Sequence, residues 1–150
     1  MIKLVLSALG LTLVTVVIHG VGAVAAAGRV ARLSAERKVQ GRLGAELLMA
    51  QLVSMLLLLH LAEAVVWGLF FALVGGLPDL ESAVYFSLTS YTTVGYGDMV
   101  LPEPWRLLGP LEAAVGVLML GWSTGILVAA IGRLYRELFP PLEVQGPTKR

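Results

Sequence analysis

The chain has 150 residues, of which 57% are hydrophobic and only 14% charged, and its net charge is +1. A soluble domain carries about 45–50% apolar and about 25% charged residues, so this composition points to the membrane class. The absence of cysteine excludes a disulfide framework and thiolate metal sites, and the near-neutral charge argues against nucleic acid as a partner.

In chain order, residues 4–27 are free of charge, and about 20 apolar residues suffice to cross a bilayer. A secretory leader is the rival reading of this run, supported by Lys3 and the small residues Ala25 and Ala27. Its apolar stretch exceeds the roughly 7–15 residues of a leader core, so a retained helix is expected. Residues 29–46 form a basic linker, with Arg29, Arg32, Arg37, Lys38 and Arg42 against Glu36 and Glu46. Its apolar residues Val30, Leu33, Val39 and Leu43 make a weak stripe, so an interfacial helix against anionic lipid is a loose expectation.

Residues 47–77 form the second span, interrupted by His60 and Glu63. An ionisable residue inside a span is a functional candidate by default. The plain reading of Glu63 is a hydrogen bond to a neighbouring helix, with Ser54, Ser123 or His19 as partner. The functional one is a proton-sensing His60/Glu63 pair, since histidine titrates near neutral pH. The two histidines and the scattered acids show no metal-ligand spacing in sequence.

Residues 78–106 are too short and too polar for another span. Pro78 and Asp79 mark a helix start, with Asp79 as the cap, and residues 80–91 contain no glycine or proline. About three turns of helix fit there, ending at depth with partial negative charge on the last carbonyls. The segment Thr92-Thr93-Val94-Gly95-Tyr96-Gly97-Asp98 follows. Non-helical backbone at membrane depth is tolerated only when it is buried in protein or lines water. Gly95 and Gly97 stand at alternate positions and reach positive φ at little steric cost.

Residues 107–132 form the third span, with Glu112 near its start, expected at the outer boundary with local bonds. Leu120, Thr124 and Val128 share one face at i, i+4 spacing. Gly116 admits two roles: a hinge, or a small residue for close helix contact. Trp122 is expected to pack against a neighbour. Basic residues crowd residues 28–46 and the C-terminal tail (Arg133, Arg136, Lys149, Arg150), while 78–106 carries Arg106 alone. The positive-inside rule then places the N-terminus and the 78–106 segment outside, with the C-terminus in the cytoplasm.

The TTVGYGD segment between two spans resembles the filter of the tetrameric potassium-channel pore family, over residues 50–135. The resemblance implies an all-α membrane protein: three transmembrane helices per subunit, a re-entrant pore helix and a selectivity filter, assembled as a homotetramer. It divides the chain into an N-terminal helix (1–28), a linker (29–46), a pore domain (47–136) and a short cytoplasmic tail (137–150). It implies that the carbonyls of Thr93, Val94, Gly95 and Tyr96, with the Thr93 hydroxyl, hold K+, and that Gly97 completes the ribbon. Thr92, Asp98, Tyr85 and Thr89 support it. Tyr85 is the expected partner of Asp98, and Tyr96 is expected to brace against the pore helix near Tyr85, Phe86 or Tyr91. Thr89 stands where some members carry a glutamate, so a carboxyl–carboxylate pair behind the filter is absent. Gly116 falls at the family's hinge position, and Leu120, Thr124 and Val128 are expected to line the cavity.

The implied function is passive, selective potassium conduction across a cell membrane, the inner membrane for the bacterial source that eight arginines to three lysines suggest. K+ is the permeant ion and lipid the surroundings. No cofactor, nucleic acid, enzymatic constellation, arginine-ladder voltage sensor or ligand-binding domain is expected. A non-conducting partner subunit is the alternative from another class.

Overall fold

A computed structural model describes residues 1–35 and 41–138 of the chain. Four helices occur in the order α1 (Ile2–Ala35), α2 (Gly41–Leu73), α3 (Leu80–Tyr91) and α4 (Leu108–Leu138). Three of them are long and apolar enough to cross a membrane: Ile2–Leu33, Gly41–Leu73 and Leu108–Arg136. The 34 residues of α1 extend about 50 Å, more than the roughly 30 Å hydrocarbon layer. Their surplus takes in much of the basic linker. Helix continues to Ala35 and resumes at Gly41, so the described part of 29–46 belongs to α1 and α2 rather than to a separate interfacial helix. Residues 29–35 contain neither glycine nor proline, and long arginine side chains reach polar surroundings without breaking a helix. Arg29 Nε donates to Gln51 Oε1 across the two helices at 3.1 Å. Residues 36–40 and the tail from 139 lie outside the described residues.

The end of α2 is set by Gly75-Gly76. Gly76 N–H reaches the Phe71 carbonyl at 2.9 Å and Gly75 N–H the Ala72 carbonyl at 3.1 Å, with Gly75 at φ +66°. This is a Schellman cap, whose left-handed position suits glycine. The chain then turns through Pro78, and Asp79 restarts helix: its Oδ1 accepts the Ser82 N–H at 2.8 Å.

Two apolar clusters hold the helices together. One joins Leu4 and Leu11 of α1, Trp67 and Phe71 of α2, Phe86 of α3 and Leu108 and Val115 of α4. The other joins Ala26 and Val30, Leu48 to Leu56, and Ala130 and Leu134. The start of α1, the end of α2, all of α3 and the start of α4 therefore share one end of the bundle. Phe86 stands edge-on to Phe71 at 5.5 Å, and Trp105 edge-on to Phe70 at 5.7 Å. Such pairs contribute about 0.5–1.5 kcal/mol each beyond their buried area. The helix α1 lies against both α2 and α4, a wider seat than the second span alone. Trp67 fastens it, donating its Nε1–H to buried Thr15 Oγ1 at 2.9 Å.

Candidate functional site: the glycine ribbon and the polar layer beneath it

The ribbon begins where α3 ends. Thr92 N–H still bonds the Leu88 carbonyl, and Thr93 N–H bonds that of Ser90 at 2.9 Å. Gly95 N–H then returns to the Thr89 carbonyl at 3.0 Å, a contact through the Thr89 backbone. Thr93, Gly95 and Gly97 have φ of +62°, +50° and +78°. The two glycines were legible in sequence as left-handed positions; Thr93 was not. A non-glycine residue there is uncommon and strained, by about 1–3 kcal/mol where the surroundings enforce it. Positive φ at every second residue turns successive peptide planes the same way, unlike a strand, whose carbonyls alternate.

The far end of the ribbon is tied by the bond that the resemblance implied: Tyr85 Oη–H donates to Asp98 Oδ2 at 2.8 Å. That bond is the main reason the Tyr85 phenol titrates above its usual range. Asp98 Oδ1 accepts the Met99 N–H. The Asp79 carboxyl is held below its usual range, first by the Ser82 amide and then by the Ser82 hydroxyl.

Tyr96 does not brace against the pore helix within its own chain. It is 73% exposed, and Val94 is 51% exposed. Beside them lies an open hollow of about 420 Å³, lined by Phe86, Thr89, Thr93, Gly95, Leu101 and Pro110 among others. The chain thus leaves both faces of its ribbon uncovered. Leu120, Thr124 and Val128 of α4 are exposed as well, and the Thr124 hydroxyl is turned onto the Leu120 carbonyl at 2.9 Å. Gly116 sits where α4 meets the ribbon's root: a Cβ there would fall on the Tyr91 carbonyl. Close contact is therefore its evident role in this conformation.

Between the two apolar clusters runs a polar layer, one level in every span. It consists of His19 of α1, His60 and Glu63 of α2, Tyr91 of α3 and Ser123 of α4. Glu63 and His19 are fully buried. Glu63 Oε1 lies 2.9 Å from His19 Nδ1, so of the three partners read from the sequence His19 is the one found. Ser54 instead bonds the Ala50 carbonyl. Glu63 Oε2 accepts the Tyr91 hydroxyl and lies 3.6 Å from His60 Nδ1. His60 Nδ1 is also 3.0 Å from Tyr91 Oη, and its Nε2 is 3.0 Å from Ser123 Oγ. Trp122 packs on the His19 ring at 5.1 Å, a neighbour within the chain.

Three corrections to the sequence reading follow. Tyr91 points away from the ribbon and into this layer. His19, His60 and Glu63 do converge, with one ligand atom from each within 4.8 Å of the others. Separations of 44 and 41 residues hid them; only the placing of Thr15 and His19 one helical turn apart hinted at a polar face on α1. Glu112 is buried rather than at the boundary, and it bonds across helices to Ser87 of α3. Ser87 also bonds the Ala64 carbonyl of α2 at 2.5 Å, so one hydroxyl joins three helices.

The family model described as "Ion channel" matches residues 55–133, a little over half of the chain. The chain is 37% identical over 60 residues to the potassium voltage-gated channel protein shk-1 of Caenorhabditis elegans. The match covers 39% of this chain and 11% of the worm protein, so the chain spans a small part of that relative's length. No solved structure matches. On the family match, the chain belongs to the ion channel family, and its three apolar helices make it a multi-pass membrane protein.

Proposed function

We propose that this ion channel protein conducts potassium passively and selectively, through a pore on the axis of a homotetramer. The observation that carries the reading is the alternating left-handed backbone at Thr93, Gly95 and Gly97. It lets consecutive carbonyls of Thr93, Val94, Gly95 and Tyr96 face one side, where they replace the water around a dehydrated K+ and pass it by knock-on. One chain supplies one such ribbon. The exposed Val94 and Tyr96, and the hollow beside them, are surfaces that neighbouring copies would cover. In that assembly Leu120, Thr124 and Val128 line the inner cavity.

The proposed orientation puts the N-terminus and the 78–106 segment outside and the C-terminus in the cytoplasm of a bacterial inner membrane. Asp79, Glu81 and Asp98 would then gather cations at the outer mouth, with Arg106 opposing them, while Glu103 belongs to a solvated loop. No catalytic step or cofactor enters the mechanism, and none of the three spans carries an arginine ladder for sensing voltage. His60 and Glu63, with His19 and Tyr91 against them, are the proposed proton-responsive group; pH dependence of flux that survives Glu63→Gln removes that role.

The test is flux from liposomes holding the purified protein alone. Potassium and rubidium should pass, sodium should not, and replacing Gly95 by alanine should abolish passage. A particle mass of four chains should accompany conduction. An absence of flux from folded tetramers would favour a non-conducting partner subunit.

A further inference from the structure

We propose that His19, His60, Glu63 and Tyr91 form a binding site for a divalent transition-metal ion with zinc-like preference for nitrogen and oxygen donors. The inference goes beyond conduction and rests on the polar layer alone.

The two imidazoles are arranged alike. Each turns Nδ1 toward the Glu63 carboxylate, His19 at 2.9 Å from Oε1 and His60 at 3.6 Å from Oε2. Each turns Nε2 toward one hydroxyl, Ser123 Oγ, at 3.4 Å and 3.0 Å. A serine oxygen has two acceptor sites, enough to take an N–H from both rings. When it does, both Nδ1 lone pairs face the carboxylate, and a cation between them resolves the repulsion. Metal-bound histidines characteristically donate their other N–H to such an outer acceptor, which fixes the tautomer. Tyr91 Oη, bonded to Glu63 and 3.0 Å from His60 Nδ1, supplies a fourth donor.

Size and charge agree. Bonds of about 2.0–2.1 Å in a tetrahedron put donor atoms about 3.3 Å apart. One ligand atom each from His19, His60 and Glu63 already lies within 4.8 Å of the others, and Tyr91 Oη is 3.0 Å from His60 Nδ1, so small side-chain rotations close the set. Glu63 is wholly buried, with His19, His60 and Tyr91 close around its carboxyl. Burying a carboxylate is costly, and a bound cation offsets that cost. Two imidazoles with one carboxylate suit zinc and its neighbours, whereas calcium and magnesium prefer all-oxygen sites. A bound ion would lock α1 to α2 and to Tyr91, the residue immediately before the ribbon.

The experiment uses full-length, tag-free, chelator-stripped protein in micelles, titrated with Co2+ alone. The visible absorption of four-coordinate cobalt should appear at one ion per chain and be displaced by Zn2+. The chain has only two histidines, so background imidazole binding is absent. His19→Ala and His60→Ala should each abolish the signal, and Ser123→Ala should weaken affinity about 10- to 100-fold. Circular dichroism checks that each variant is helical, and Glu63→Gln, close in size, serves if an alanine variant fails to fold. Absence of stoichiometric cobalt in the parent protein, or its persistence in the double histidine variant, overturns the site. Cobalt binding without potassium flux would sink the conduction reading and leave this one standing.

Discussion

Replacing Gly116 by alanine separates two roles for this residue of α4. A hinge glycine keeps a helix pliable, so alanine should stiffen α4 and add up to about 1 kcal/mol of helix propensity. The structure opposes that outcome, because the added Cβ would fall on the Tyr91 carbonyl, a backbone atom held between α3 and the ribbon. Neither side can yield by a simple rotation, so α4 must shift bodily. Overpacking of this kind costs about 1–3 kcal/mol, and a backbone obstacle belongs in the upper part of that range. Subtracting the propensity gain leaves a loss of about 1–2 kcal/mol, or about 5- to 30-fold in the folded-to-unfolded ratio. Gly10→Ala is the matched control, since nothing lies within 4 Å of a Cβ at that exposed position of α1. The assay is heat unfolding in micelles followed by helical signal, with the order Gly10→Ala at or above the parent and Gly116→Ala below it. A Gly116→Ala protein as stable as the parent would refute the close-contact account and restore the hinge.

Tyr91→Phe removes the hydroxyl shared by Glu63 and His60, and should destabilise by about 1.5–3 kcal/mol in denaturant melts, as loss of a hydrogen bond to a buried charged group does. Thr15→Val takes away the acceptor of Trp67 Nε1–H; a loss of about 1–3 kcal/mol is expected, with quenching data showing a loosened Trp67. Glu112→Gln keeps an acceptor for the Ser87 hydroxyl and should be nearly neutral, whereas Glu112→Ala should lower the unfolding midpoint measurably. Tyr85→Phe cuts the tie to Asp98 and should reduce potassium selectivity in liposome flux. The sign of its pH dependence follows from the raised Tyr85 pKa: the tie is intact below the unfolded value of 10.0 and lost as pH climbs through the higher folded one. Parent and variant should therefore differ at neutral pH and converge only under strong alkali.

The membrane class, the three spans, the short helix at residues 80–91 with its Asp79 cap, and the glycine positions of the ribbon were all legible in the sequence. Each depends on neighbours along the chain: hydropathy over a window, a cap within three residues, a φ that glycine tolerates. The Tyr85–Asp98 bond was expected through the family resemblance alone, and the two residues do meet. What the sequence could not disclose depends on how helices are rotated about their own axes once packed. Thr93's left-handed backbone is imposed by hydrogen bonds from the end of α3, not by its own preference. The turn of Tyr91 toward Glu63, the burial of Glu112 against Ser87, and the meeting of His19 with His60 arise from side chains on different helices. An apolar run states that a helix is buried in lipid or protein. Which of its faces meets which neighbour is decided only when all four helices compete for the same core.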